Sequence, residues 1–574
     1  MNRTHKQFFL WSLALILLCT SVPEGMSQTK PEPPPRRPVA LPRDTAATSP
    51  SPATTDSARE SRVRYPSFDV PEYTITGDEA RALNAMPRPL SADFPTGGAY
   101  RSAGAGTRDA VSSPGEGRRP ILDAAVLGAA GGVNVGYGTF RTPTMDLWLS
   151  YAGQQADVLL SMGYTSTWGH VENAQSQKGY STLSGGFSVL ETRVRGSFGL
   201  TGDGYRLYGS NRPDRWRSVN GILGDLEVGS IRFGDVDAYA GMHIRSTMLE
   251  DSLKSSEVQM GFDFHVQADA GPVDLVADAE LWANAYTANM NALNPHLYAL
   301  TVRGRYPVTP VLDIEAGLRA AVRRGTDRNT IGWVDPLLGV YWKGWPDVIA
   351  YVRFDPYVEK ASLASMVAES PYVTASPHLR PRHYATNVLA GVEFRPLASI
   401  RGSVELFVQK GHDVPVYVDL DTTGIWTPVY GGDVRSTGIR GSVAADLSAE
   451  DVLQGSITIR QDRWSGTGDG DPRLMGDMVP YSPGVEVDAF AIHRFPFGLS
   501  LIPSLSLVGT RPVDVVDSRS LTTYLDIGFR AEYIVLPSFA VTLSFENIFG
   551  TKRTFWDRYE GVPSTASLSA SYTW

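Results

Sequence analysis

The chain of 574 residues contains a single cysteine. That residue, Cys19, lies inside an apolar leader, so no disulfide can brace the remainder. An exported protein of this kind must take its rigidity from another source, and a closed hydrogen-bonded barrel is one. Long hydrophobic runs are missing as well. Beyond the leader no stretch approaches the roughly 18 consecutive apolar residues of a helical span, so any membrane crossing is made by strands. Clustered positive charge is the third absence. Lys and Arg number 52 against 61 Asp and Glu, the net charge is -9, and the basic residues are scattered singly. That excludes a polyanion groove, and nucleic acid is not an expected partner.

Catalytic and metal-binding patterns are equally scarce. Among His170, His243, His265, His296, His378, His383, His412 and His493, only His378 and His383 are spaced like ligands. They lie beside Pro377 and Pro381 with no cysteine nearby, which reads as a solvated loop rather than a metal site. No serine sits in a Gly-x-Ser-x-Gly turn. Gly466-Thr467-Gly468-Asp469-Gly470-Asp471 lacks the further ligands of a calcium loop and reads as a flexible outer loop. No enzyme activity, cofactor or metal is expected.

What is present begins with Arg3 and Lys6, an apolar run from Phe8 to Leu18, and Gly25 and Ser27 as small residues before a cleavage at Gln28. Residues 1–27 form a secretory signal peptide, the run being too short to span. A lipobox at Cys19 is the alternative, although such a box wants a small residue where Leu18 stands. Residues 28–62, with Pro31-Glu32-Pro33-Pro34-Pro35, bury too little apolar surface to offset ordering and form a disordered linker. Residues 63–130 are broken by Pro71, Pro87, Pro89, Pro95 and Pro114, and form a periplasmic or lumenal segment.

From Gly131 to Trp574 the chain alternates apolar and polar residues in short segments separated by turn residues. In the last segment Ala566, Leu568, Ala570, Tyr572 and Trp574 occupy one face, and Ser567, Ser569, Ser571 and Thr573 the other. Leu525, Ile527, Phe529, Ala531 and Tyr533 likewise oppose Asp526, Arg530 and Glu532, and Leu312, Ile314, Ala316, Leu318 and Ala320 oppose Asp313, Glu315 and Arg319. One face suits lipid and the other water. A soluble sandwich also alternates, so the connections decide. Short turns near 152–155, 268–272, 306–310, 343–346, 395–398, 447–451, 495–498 and 535–538 interleave with long polar loops near 169–176, 324–330, 357–381, 411–433, 465–482 and 548–563. Short turns on one side and long loops on the other describe an outer-membrane barrel. Counting predicts an all-β, transmembrane antiparallel barrel of about 20–22 strands, with 22 preferred and both ends on the short-turn side. The pairings between Asp203 and Ser256 are the hardest to place.

Phe545-Glu546-Asn547-Ile548-Phe549-Gly550, then Trp556, Tyr559-Glu560-Gly561-Val562-Pro563 and the final alternation, resemble the end of TonB-dependent receptor barrels. Gly136-Tyr137-Gly138-Thr139-Phe140-Arg141-Thr142-Pro143 and Leu207-Tyr208-Gly209 are similar to receptor-related barrels of Bacteroidetes-type bacteria. The resemblance implies Tyr572 and Trp574 as the signal read by the barrel-assembly machinery. It implies uptake of a solute driven by a TonB-like energy transducer. Residues 63–130 are too short and too rich in Pro and Gly for a complete plug domain. Glu72, Tyr73, Thr74, Ile75, Thr76 and Gly77 resemble the box that pairs with the transducer by strand addition; the alternative is a β-prone segment packed at the barrel mouth.

Charges placed on the wet faces, namely Asp313, Glu315, Arg319, Arg323, Arg401, Glu405, Arg440 and Asp446, with Asp274, Asp278 and Glu280, can bind a solute, dock a plug, or pair with one another across strands. They make the interior too polar for a fatty-acid tunnel. A barrel of about 20 strands leaks unless it is filled. Residues 63–130, inward-folded loops or a separate plug or partner subunit are the expected fillers. The functional expectation is an outer-membrane transport barrel, with a non-transporting scaffold that anchors a partner as the alternative.

Overall fold

The computed structural model describes residues 128–574, apart from 154, 190–191, 235, 289–290, 328, 398, 467–473 and 517–518. The signal peptide, the Pro-rich linker, nearly all of the 63–130 segment and the Glu72–Gly77 box lie outside the described residues. The remainder is a closed antiparallel barrel of 22 strands. In chain order these are β1 Gly128–Gly138, β2 Thr142–Ala152, β3 Ala156–Thr167, β4 Ser176–Val189, β5 Thr192–Arg206, β6 Trp216–Phe233, β7 Val236–Glu250, β8 Lys254–Ala270, β9 Val273–Ala288, β10 His296–Thr309 and β11 Leu312–Arg324. The second half comprises β12 Thr330–Trp345, β13 Val348–Phe354, β14 Arg382–Leu397, β15 Ile400–His412, β16 Gly432–Asp446, β17 Asp451–Gly466, β18 Val485–Arg494, β19 Leu499–Val508, β20 Tyr524–Leu536, β21 Phe539–Glu546 and β22 Thr565–Thr573. Two three-residue pieces, Asn291–Leu293 and Tyr357–Glu359, extend the sheet at the rim.

Each strand pairs with its chain neighbours, and β1 pairs with β22 from Gly132 opposite Thr573 to Gly138 opposite Ser567. Closure matters because an open edge in hydrocarbon leaves backbone groups unpaired, at several kcal/mol each. The seam is completed at its short-turn end, where Gly131 N donates to Trp574 O at 3.1 Å and Trp574 N donates to Gly131 O at 3.0 Å. The Trp574 ring lies flat over Gly131: a Cβ there would stand 2.4 Å from Trp574 Cζ2. The same interlock recurs inside the wall, with Trp282 over Gly261 and Tyr351 over Gly391.

Turns at one end of the barrel take two to four residues, as between β8 and β9 or β10 and β11, while those at the other reach 355–381, 413–431, 467–484, 509–523 and 547–564. Gly128 and Trp574 both lie at the short-turn end, as an even strand number requires. The stretch between Asp203 and Ser256 resolves into the end of β5, then β6, β7 and the start of β8, the last two joined by 251–253. Alternation sorts the faces: on β8, Val258, Met260, Phe262, Phe264 and Val266 are exposed while Ser255, Glu257 and Gln259 are buried. Aromatic residues edge the apolar belt. Tyr137, Tyr164, Trp168 and Tyr298 stand toward the long loops, and Tyr151, Tyr306, Trp345, Tyr572 and Trp574 toward the short turns, all exposed. Tyr298 and Tyr306 share β10. Their separation is about 27 Å along the strand, or roughly 20 Å along the membrane normal at a tilt of about 40°.

Replacing Gly131 by Ala drives a methyl group into the Trp574 ring and is expected to destabilise the barrel by about 1–3 kcal/mol. Trp574→Ala removes the obstruction, so the double variant should lose less than the sum of the two single losses in urea unfolding of the detergent-solubilised barrel. Simple additivity would sink this account of the seam.

Candidate functional site

The long-loop mouth is spanned by its own connections. A buried apolar core joins Val373, Tyr417, Val418, Trp426, Val479, Tyr481, Val515, Leu521, Trp556 and Tyr559, drawn from five different loops, with Tyr208 of a sixth packed on it. Tyr372 stacks on Tyr559 with ring centroids 3.5 Å apart, and Trp556 packs against Tyr481 at 4.2 Å and Trp426 at 5.0 Å. Hydrogen bonds to backbone carbonyls link distant sectors of the ring. Asn211 N donates to Thr423 O at 2.9 Å, Tyr208 OH to Glu560 O at 2.5 Å and Tyr559 OH to Gly424 O at 2.9 Å. These join the loops that follow β5, β15 and β21.

Beneath this core the 355–381 connection folds back along the inner wall and carries the short helix α1, Leu363–Glu369. Ser362 caps it: Ser365 N donates to Ser362 Oγ at 2.9 Å and Ser362 N to Ser365 Oγ at 3.1 Å. The outer wall of this loop is β7 and β9, whose Leu249 and Tyr286 bury against Ala361, Leu363 and Met366. Leu363 N donates to Glu257 Oε2 at 2.7 Å and Asn284 Nδ2 to Ala361 O at 3.4 Å. Lys360 Nζ stands 3.3 Å from the centroid of the Trp282 ring. Burial holds the Lys360 amine down at about 7, with the Arg245 charge acting in the same direction and Glu280, Glu257 and Asp225 opposing it.

After the helix a turn, in which Val373 N donates to Ser370 O at 3.1 Å, leads the chain back as a strap without helix or long strand. Alternate carbonyls from Pro371 to Pro381 each find a partner in a neighbouring group. Arg217 donates to Pro371 O at 2.8 Å and to Val373 O at 2.6 Å, with Tyr205 OH also reaching Pro371 O at 2.6 Å. Ser255 Oγ donates to Ala375 O, Tyr286 OH to Pro377 O at 2.8 Å, Thr326 N to Leu379 O at 3.0 Å and Arg323 Nη1 to Pro381 O at 2.7 Å. The sequence suits this role, since proline offers a carbonyl without a donor to satisfy. The strap thus runs from β5 to β11 around the inner rim. Glu369 ties its start to Arg382 at 2.5 Å and to Tyr417 OH at 2.7 Å.

Arg217 is the firmest of these anchors. Its side chain is 0% exposed and pairs at 2.7 Å with Asp251, which is 2% exposed. Burial pushes the Asp251 carboxyl up, but Arg217 and the amides of Leu253 and Ser252 together outweigh it and hold it below the usual aspartate range.

Most of the charges expected on the wet face fall into two groups. Arg319 and Arg323 hold the loop, Arg319 pairing with Asp355 at 3.2 Å and donating to Pro356 O, and Arg323 pairing with Asp413. Asp313, Glu315, Glu405 and Arg440 belong to wall ladders. Asp313 takes Arg305 at 2.9 Å and Lys343 at 2.5 Å, Tyr341 OH donates to Glu315 at 3.4 Å, and Glu405 accepts from Tyr351 OH at 2.7 Å and from Arg440 at 2.8 and 2.5 Å. Arg401 and Asp446 stand near the short-turn end of β15 and β16, apart from the strap. Asp278 joins His265 at 2.7 Å. Asp225, His243 and Asp263 form a cross-strand ladder in which His243 Nδ1 lies 2.7 Å from Asp225 and Nε2 contacts Asp263.

One expectation needs correction. His383 is not in a solvated loop: it is the second residue of β14, is buried, lies 2.9 Å from Asp335 and has Trp333 against its ring at 4.4 Å. The strap carried it into the wall, which loop composition does not reveal. Among the described residues no cluster of His, Cys, Asp and Glu could hold a metal. Arg217, Ser255, Glu257, Trp282 and Tyr286, the groups that do organise this site, were not singled out from the sequence. Their signal was their inward parity, in or beside the stretch where pairing was hardest to place.

Arg217→Ala removes the cation that pairs with Asp251 and leaves Val373 O without its partner, while Pro371 O keeps Tyr205 OH. Breaking a buried pair typically costs about 3–5 kcal/mol. The expected readout is new tryptic cleavage at Lys360 or Arg382 in the folded barrel; unchanged protection would remove Arg217 from the anchoring role. The same pair sets a pH dependence. A depressed carboxyl stabilises fully above the ordinary aspartate value and loses that contribution as pH falls through its folded value. Strap protection should therefore persist at neutral pH and decline only below the ordinary aspartate range, and Asp251→Asn should flatten that decline.

No protein-family model and no curated protein sequence matches the chain. Solved structures do match its fold. The FrpB iron transporter from Neisseria meningitidis (F3-3 variant) superposes with a TM-score of 0.63 at 10% identity, over 79% of this chain and 82% of that one. The siderophore receptor PiuA from Acinetobacter baumannii gives 0.61 at 10% identity over 79% and 82%, and the copper transporter OprC 0.59 at 10% over 78% and 83%. With its 22 closed strands, lipid-facing belt and loop-covered mouth, the chain has the outer-membrane barrel fold of the TonB-dependent receptors.

Proposed function

We propose that the chain is a gated uptake barrel of the outer membrane, closed at its outer mouth by the 355–381 strap and the aromatic loop core, and opened when a solute displaces them. The observation that carries this reading is the strap itself. Six successive alternate carbonyls are each satisfied by a neighbouring group, an investment that an always-open pore has no use for. Iron, siderophore and copper name what the similar structures handle; no solute follows from them for this chain. The lumen charges Asp313, Glu315, Arg319, Arg323, Arg401, Glu405, Arg440 and Asp446 are proposed to shape the path of a polar solute once the strap moves. Tyr572 and Trp574 are proposed as the assembly signal. Glu72–Gly77 is proposed as the strand that engages a TonB-like transducer from the periplasmic side. A scaffold reading is favoured by the buried packing of the loop core, which would serve equally as a platform for a partner.

Recording from planar bilayers tests the gate. The full chain is expected to show no large stable open state, and replacing residues 360–378 by a short Gly/Ser linker is expected to produce one. Large stable pores from the unaltered chain would overturn the reading. Deleting residues 72–77 separates transport from scaffolding: solute uptake should fall with assembly intact, whereas loss of a co-purifying partner with uptake unchanged would favour the scaffold.

A further inference from the structure

The outer face of β15, β16 and β17 changes character abruptly near the long loops. Outward positions on β15 run Val404, Leu406, Val408 and then Lys410 and His412; on β16 they run Val443, Gly441, Ile439, Thr437, Arg435 and Asp433. On β17 the same face presents Ile457, Ile459, Gln461, Arg463 and Ser465. Register aligns the cations: Lys410 stands directly opposite Arg435, and Arg435 directly opposite Arg463. Three basic side chains therefore form one row across three strands, with the outer two backbones about 10 Å apart.

Like charges placed directly opposite each other destabilise a sheet, so the row calls for an anion. Acidic neighbours answer part of the demand. Lys410 Nζ lies 2.8 Å from Asp433, which also takes His412 at 2.5 Å, and Arg463 pairs with Asp477. The central residue is left over: Arg435 is exposed and, among the described residues, has no hydrogen bond or ion pair. Height is the second consideration. Ile400 begins the outward apolar run of β15 and Lys410 follows it. Ten residues rise about 26 Å along the normal at a tilt of about 40°, the height of a transmembrane apolar belt. The row sits where hydrocarbon ends and headgroups begin, on the side of the long loops.

We propose that Lys410, Arg435 and Arg463 form a binding site for the phosphate-bearing headgroup of an outer-leaflet glycolipid. Guanidinium groups grip phosphate oxygens through paired donors and lysine adds a point charge. Thr437 and Gln461, one position nearer the belt on the same face, offer neutral hydrogen-bonding groups at the level where sugar gives way to acyl chain. The proposal rests on the long-loop side facing outward, but not on whether the barrel transports.

The test uses the full chain in neutral detergent, titrated with a bis-phosphorylated glycolipid, its phosphate-free counterpart, and inorganic phosphate. Binding is read by native mass spectrometry and by the thermal midpoint, which a ligand of the folded state raises. The phosphorylated lipid is expected to bind and raise the midpoint. The triple variant K410Q/R435Q/R463Q should bind it about a hundredfold more weakly, and Arg435→Gln alone about fivefold more weakly. Heat-modifiable gel mobility confirms folding, and if the triple variant fails to fold, Arg435→Gln carries the test. Undiminished binding by the folded variants, or equal binding of the phosphate-free lipid, overturns the proposal. So does a midpoint rise from inorganic phosphate that matches the lipid's at equal phosphate concentration, which would assign the row to a free anion.

Discussion

Everything in this barrel depends on backbone pairing in a medium that offers no alternative partner. Hydrocarbon cannot hydrogen-bond, so 22 strands must close on themselves, and closure falls to the meeting of β1 with β22. That seam is built from small residues on β1, Gly131, Gly132 and Gly136 among them, over which larger side chains lie: Trp574 covers Gly131 and Trp148 covers Gly132. Glycine weakens an isolated strand, but a ring laid over its bare backbone restores buried contact and leaves no room for slippage.

The same accounting governs the mouth. Loops entering a barrel carry carbonyls and amides that must also be satisfied, and the 355–381 connection meets this demand with period-two regularity. Its carbonyls from Pro371 to Pro381 reach side chains of β5, β6, β8, β9 and β11 and one amide beyond β11. A closure built this way is specific without being covalent. Its weak points are the few buried charges, since Arg217 serves two carbonyls and Asp251 at once. Such an element can release as a unit once one anchor is lost, which is the property a gate needs.

Outside, the barrel reads its surroundings through chemistry in bands: exposed aliphatic residues at mid-height, aromatic rings at both edges, and on one sector a row of cations just above. Inside, opposite charges on adjacent strands neutralise one another, as in the Arg305–Asp313–Lys343 and Arg353–Glu405–Arg440 groups. Wall charges satisfied in this way stiffen the lumen. They become solute contacts only where a ligand offers a better partner.

The alternation of Leu525 to Tyr533 and Ala566 to Trp574, and the interleaving of short turns with long loops, were enough to determine a transmembrane barrel, a range of about 20–22 strands that holds the 22 found, and the end on which Trp574 lies. Period two is local, and a wall with lipid on one side and water on the other writes it directly into the chain. The strap was not legible. Pro377 and Pro381 read as parts of a solvated loop, and His383 as a solvated loop residue, because what makes this segment a closure is the set of partners on β5 to β11, up to 166 residues away in the chain. Cation rows behave alike: Lys410, Arg435 and Arg463 are scattered singly in sequence and meet only through register. Contacts of that kind are decided by which strands become neighbours, and only the closed tertiary structure settles it.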